Sequence, residues 1–205
     1  MTTTTGAARG RPRAFDRDEA LRQAMTAFWK HGFEATSVAE LTTVMGIGAP
    51  SLYAAFGDKK QLFGEVVEVY GRTHGAFAMR ALAEEKTARD GVARMLREAA
   101  GEFTHRDHPR GCLVVSAATN CTPASADVEE QLRRQRNANI AEIQRRIEAD
   151  VAARVLPAGT DAAMLARFTA ATFQGMSQQA RDGATRQQLQ SVAEAAMRAW
   201  PPLTS

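Results

Sequence analysis

Ala35-Thr36-Ser37-Val38-Ala39-Glu40-Leu41, then Met45-Gly46-Ile47-Gly48, then Pro50-Ser51-Leu52-Tyr53-Ala54-Ala55-Phe56-Gly57-Asp58-Lys59 and Leu62-Phe63, spell short helices separated by glycine turns. Ser37 and Glu40 stand in capping-box spacing, and Val38, Leu41 and Met45 share one side of a helix over residues 37–44. Gly46-Ile47-Gly48 is a tight turn. Pro50 suits the first turn of the next helix, where its missing N–H would have no partner, and Gly57 ends that helix. Upstream, Asp16 caps a helix over residues 17–31 with Leu21, Ala24, Met25 and Phe28 on one stripe and Gly32 as its stop. Three short helices with a glycine turn between the second and third have the dimensions of a helix-turn-helix, although periodicity alone fits an ordinary three-helix bundle equally well.

Helical periodicity continues along the chain, and no segment alternates long enough to argue a strand, so the fold class is all-α. Asp58 opens a long fourth helix through Leu62, Phe63, Val66, Val67 and Tyr70 to about Ala83, with Gly71 and Gly75 as weak points. Further helices are expected near residues 91–104, 112–121, 126–155, 161–182 and 185–199. The boundaries follow: a flexible basic arm over 1–14, a helix-turn-helix domain over 15–60, a connecting helix over 61–87, and a second helical domain over 88–205. At 205 residues and 44% apolar composition the chain can bury a core. It has no apolar run long enough for a membrane span and no apolar leader, so a soluble, cytoplasmic protein without a membrane partner is expected.

The net charge of +3 does not by itself argue for nucleic acid, but its distribution does. Arg9, Arg11 and Arg13 stand in a stretch with no acidic residue, and Arg9-Gly10-Arg11-Pro12 resembles the core with which AT-hook peptides enter the minor groove. A solvated basic tail is the alternative. No glycine-rich phosphate loop, GxSxG or HExxH is present, so an enzyme is not expected, and no cofactor is called for.

The quoted stretch closely resembles the DNA-binding signature of the tetracycline-repressor (TetR) family of bacterial transcription regulators. The resemblance implies a homodimeric regulator of double-stranded operator DNA, most often a repressor released by a small-molecule effector. Position by position, it implies that Thr36, Tyr53 and Lys59 contact phosphates, with Ser37 beside Thr36 also on the DNA-binding side. Base reading falls to Gly48, Ala49, Pro50 and Ser51, at the start of the third helix. These carry one hydroxyl and no amide or guanidinium, so bidentate base contacts are out of reach and sequence is read through thymine methyls, DNA shape and the arginine arm.

In the second domain the resemblance implies ligand binding and dimerisation. Phe77, Phe103, Cys112, Phe168, Thr172, Phe173 and Met176 are the ligand-binding candidates. Met164, Leu165, Phe168, Ala171, Thr172 and Met176, with Leu189, Val192, Ala196, Met197 and Trp200 on the last helix, form stripes suited either to a dimer face or to intrachain core. On a single helix over 112–121, Cys112 and Cys121 lie on opposite faces and cannot bridge. Cys112, beside Arg110 and a helix start, is either an activated thiol or a packing residue. His105, His108 and Cys112 admit a metal reading, against which solvated loop histidines are the ordinary expectation, and no metal is expected.

Overall fold

In the computed structural model, which describes residues 15–204, the described residues form helices and connecting turns with no strand. The first helix, α1 (Arg17–His31), begins at Asp16, whose carboxylate accepts the N–H groups of Asp18 and Glu19. Ser37 caps α2 (Val38–Met45) by accepting the Glu40 N–H. The reciprocal half of the box is not made, and the Glu40 carboxylate lies 3.6 Å from His31 Nε2 instead. Between α2 and α3 (Ala49–Phe56), Gly46 sits at φ +65°, the left-handed region that a side chain makes costly. Phe28 of α1 and Phe33 of the α1–α2 loop meet Phe63 at ring-centroid distances of 5.1 and 5.2 Å, and all three rings are buried.

The single fourth helix expected from the sequence is two. α4 (Lys59–Arg72) stops where the Thr73 and Gly75 N–H groups turn back to the Tyr70 carbonyl, and α5 (Ala76–Glu84) restarts beyond the break. α6 (Ala88–Glu102) is the axis of the second domain, packed by α5, α9 and α10, with Val92, Leu96, Ala99 and Ala100 fully buried. Its first N–H, on Ala88, donates to the buried carboxylate of Asp150 at 2.6 Å. Asp150 belongs to α8 (Ala126–Ala152), which follows a one-turn α7 (Leu113–Ser116) and a 3₁₀ turn (Pro123–Ser125). α9 (Ala162–Arg181) and α10 (Arg186–Arg198) complete the chain.

The helix expected over 112–121 is thus a single turn. The carbonyl of Ala117 accepts the Phe33 N–H at 2.7 Å, and this tertiary bond ends α7. Gly32 permits the approach: it has φ +83°, and a Cβ there would stand 3.2 Å from the Ala117 oxygen. Cys112 and Cys121 therefore do not share a helix, and both are free thiols.

The stripes on the last two helices divide. Leu165, Met176, Leu189, Ala196 and Trp200 are buried within the chain itself, so at these positions the stripes are intrachain core. Met164, 57% exposed, and Ala171 face outward, with Phe168 and Thr172 half-buried beside them.

Four polar links dock the helix-turn-helix unit on the second domain. Besides Phe33 to Ala117, the Glu34 carboxylate accepts both the N–H and the hydroxyl of Thr122 at 2.7 Å. Lys60 Nζ donates to Asp127 and to the Ala124 carbonyl at 2.8 Å, and Arg181 donates to the Trp29 carbonyl at 3.2 Å.

Two stability predictions follow from this geometry. Gly46→Ala should destabilise by about 1 kcal/mol for its backbone conformation alone, since no atom lies within 4 Å of the added methyl. Gly71→Ala, inside α4, should instead stabilise by about 0.5–1 kcal/mol. Calorimetric melts giving both variants the same shift would contradict this account. The bonds from Thr122 hold the Glu34 carboxyl down from 4.5 to about 2. Because the folded pKa is the lower one, the clamp stabilises fully above about pH 4.5 and is lost as pH falls toward 2. The stability difference between wild type and Glu34→Gln should shrink over that window, and a difference independent of pH would remove the carboxylate from the docking.

Candidate functional site

The exposed side of the helix-turn-helix unit is built by the first turn of α3. Gly48 is its N-cap and has no side chain to offer, while Pro50 and Ser51 are exposed and Ala49 is half-exposed. Leu52 and Phe56, four residues apart, point inward and are buried, which turns Tyr53 outward with half of its surface exposed. Lys59 is half-buried at the start of α4, its ammonium 4.3 Å above the Phe33 ring. Burial pushes its pKa down, and the Glu34 carboxylate pushes it back up. The described side of α3 thus presents a hydroxyl, a phenol and methyl surface, flanked by one ammonium.

Thr36 departs from the expectation. Its side chain is fully buried and its hydroxyl donates to the Gly32 carbonyl at 2.7 Å, so that group is spent on the α1–α2 loop and is not presented to a phosphate. Its neighbour Ser37 is exposed but accepts the Glu40 N–H as a cap. Arg9, Arg11 and Arg13 lie outside the described residues. Arg17, not singled out in the sequence, ends against the Phe56 ring at 4.4 Å and pairs with Glu65 at 2.8 Å, so it braces α1 on α4.

The second domain encloses a cavity of about 550 Å³ between α4, α5, α7, α8 and α9. Of the seven expected lining residues, Phe77, Cys112 and Phe173 line it. Phe103 stands behind the wall, its ring 5.0 Å from Phe173 and 6.1 Å from Phe77. Phe168, Thr172 and Met176 do not reach the cavity, because the phase of α9 aims Ala170, Phe173 and Gln174 at it instead. Missed altogether was a polar wall from α8, Gln131, Gln135, Arg136 and Asn139, which the 3.6-residue period places on one face. Arg136 donates to the Val114 carbonyl at 2.9 Å. Tyr70, 1% exposed, lines the same cavity, with its hydroxyl beside the Cys112 thiol.

Cys112 is not an activated thiol. Burial pushes its pKa up, outweighing the Tyr70 hydroxyl that lowers it, and its backbone N–H is bound by Ser177 Oγ at 2.8 Å. Burial likewise raises Cys121. Among the described residues no helix is long and apolar enough to cross a membrane.

A two-part architecture of this kind, with a small helix-turn-helix head on a cavity-bearing helical body, agrees with comparison to known proteins. The family model for bacterial regulatory proteins of the tetR family matches residues 20–66, and that for the tetracyclin repressor-like C-terminal domain matches residues 91–196. The HTH-type transcriptional repressor ComR of Escherichia coli (strain K12) is 37% identical over 196 residues, spanning 95% of this chain and 93% of ComR. The repressor BdcR of the same organism is 32% identical over 184 residues, spanning 90% and 88%. Among solved structures, a cysteine mutant of the TetR family regulator CifR complexed with 26-bp double-stranded operator DNA superposes with a TM-score of 0.89. It is 46% identical, over 94% of this chain and all of that one. Head and body both match along nearly the whole length, and the chain belongs to the TetR family of bacterial regulatory proteins.

Proposed function

We propose that this TetR-family DNA-binding regulator is a cytoplasmic homodimeric repressor that holds its operator through α3 and lets go when a small molecule fills the second-domain cavity. The observation that carries this reading is the wall formed by α7: Cys112, Val114 and Val115 line the cavity, and Ala117, one turn further on, is bonded to Phe33 of the head. ComR and BdcR are named as repressors, and the CifR complex contains operator DNA, which supports the same role here. The cavity chemistry suits a small, mostly apolar effector with an anionic or hydrogen-bonding group that meets Arg136 and the neighbouring amides. The outward strip of α9, Met164, Phe168, Ala171 and Thr172, is our assignment for the dimer contact, with intrachain core behind it.

On DNA, Tyr53 and Lys59 act on phosphates and Ser51 and Pro50 on base edges, with Arg9, Arg11 and Arg13 supplying minor-groove contact. Because phosphate contacts set affinity and not sequence choice, Lys59→Ala should weaken binding to all sequences about equally. It should also flatten the slope of log K against log salt by about 0.9 per protomer. Fluorescence anisotropy against DNA from upstream of the chain's own gene, at several salt concentrations, measures both, and an unchanged slope would remove Lys59 from the interface.

The cavity is tested with the aromatic anion 1-anilinonaphthalene-8-sulfonate as probe. Arg136→Gln should weaken dye binding through the sulfonate, and Ala170→Phe should abolish it by filling the space, with far-UV circular dichroism unchanged in both and operator binding retained in Arg136→Gln. Dye affinity equal to wild type in both variants would place the dye elsewhere and withdraw the cavity as effector site.

A further inference from the structure

Where α4 gives way to α5, His74 faces the last residue of α6, and the loop that follows α6 folds His108 onto the same point. His74 Nδ1 lies 3.1 Å from Glu102 Oε1, and His108 Nε2 lies 3.1 Å from that same oxygen. The three donor atoms are all within 4.8 Å of one another. The other nitrogen of His108, Nδ1, is 3.0 Å from the Pro109 carbonyl. A carbonyl only accepts, so Nδ1 carries the proton, and in the neutral ring Nε2 holds a lone pair directed toward a carboxylate oxygen. His108 Nε2 is buried and makes no aligned hydrogen bond. The contact at that distance is closed either by a proton on Nε2, which makes an imidazolium–carboxylate pair, or by a metal cation in the proton's place.

We propose that His74, Glu102 and His108 bind one divalent first-row transition cation of the zinc class, in a site distinct from the effector cavity. Two imidazole nitrogens and one carboxylate oxygen are the donor set that such ions take, usually with one or more positions left to water, whereas calcium and magnesium prefer all-oxygen shells. Bonds of about 2.0–2.1 Å put tetrahedral ligand atoms about 3.3 Å apart, so two of the three edges are already near length and the third closes by side-chain adjustment. The Nδ1–H to carbonyl bond of His108 is the outer-shell contact that fixes the tautomer and aims Nε2 at a metal. Trp29 holds the ring in place from behind, stacked at 4.6 Å and 18°, and lies 5.2 Å from His74. His108 and Pro109 also line an open cleft, through which an ion has access. None of the three ligands lines the effector cavity.

The location matters for the molecule. His74 lies in the turn just past the end of α4, Glu102 ends α6, and Trp29 belongs to α1. An ion here holds the far end of α4 to the second domain and to the head at once.

The test uses the untagged full-length protein stripped of metal, titrated with Co²⁺ and back-titrated with Zn²⁺. One equivalent of Co²⁺ per protomer should give visible d–d absorption, quench tryptophan fluorescence through Trp29, and be displaced by one equivalent of Zn²⁺. Glu102→Gln and His108→Gln should each weaken the metal by more than about tenfold, with circular dichroism confirming that both are folded. Cys112→Ser should bind as wild type. Should His108→Gln prove unfolded, Glu102→Gln, which keeps the side-chain shape, decides alone. Unchanged affinity in Glu102→Gln, loss of binding in Cys112→Ser, or no saturable uptake would each overturn the site. No DNA or effector enters the measurement, so its failure leaves the repressor reading untouched.

Discussion

Phe33 is the joint of the molecule. Its backbone N–H is bonded to Ala117 at the end of α7, its ring fills the space between Phe28 and Phe63 in the head, and the outer face of that ring carries the Lys59 ammonium. One buried residue therefore touches the wall of the effector cavity through a backbone bond, the head's core through two ring contacts, and a proposed phosphate donor through a cation–π contact. Its geometry depends on Gly32, whose φ of +83° lets the loop approach the Ala117 carbonyl. Glu34 then adds two further bonds to Thr122, so the loop is held at two successive residues.

That joint gives α7 a mechanical meaning beyond its length. A single helical turn has no stability of its own, and this one is fixed at both ends, by Cys112 N–H to Ser177 Oγ on α9 and by Ala117 O to Phe33. A molecule in the cavity presses on Cys112, Val114 and Val115, between those two anchors. Packed interiors yield by discrete shifts and not by gradual compression, so movement of the turn is passed on to whichever anchor gives first. Ser177 is fully buried on the long α9, whereas Phe33 sits in a short loop, which makes the head the softer end.

The head was legible in the sequence because its signals are local. Asp16, Ser37 and Asp58 cap three helices with side-chain bonds as their spacing implies, and Gly46 adopts the left-handed turn. What escaped the sequence is tertiary. Nothing within 112–121 announces that Ala117 is taken by a residue more than eighty positions earlier, and so a one-turn helix read as a full one. The Thr36 hydroxyl has a donor's chemistry, but the fold spends it on Gly32. Met176 is apolar and on stripe, yet helical phase turns it into the core and away from the cavity it was expected to line. The Gln131, Gln135 and Asn139 face reads as solvent-facing because period alone does not tell a polar cavity wall from a surface. His74, Glu102 and His108 come from three elements, a convergence that no spacing motif encodes.

Three aromatic rings meet where these tertiary features converge. The Trp29 ring stacks on His108 at 4.6 Å and 18° and meets Tyr70 edge-on at 4.9 Å and 85°. Tyr70 opens on the effector cavity, and His108 opens on the cleft beside it. A ligand on either side would therefore press on the same aromatic cluster. That cluster joins Trp29 of α1 to Tyr70 of α4, so both proposed sites border the contact that seats the DNA-binding head.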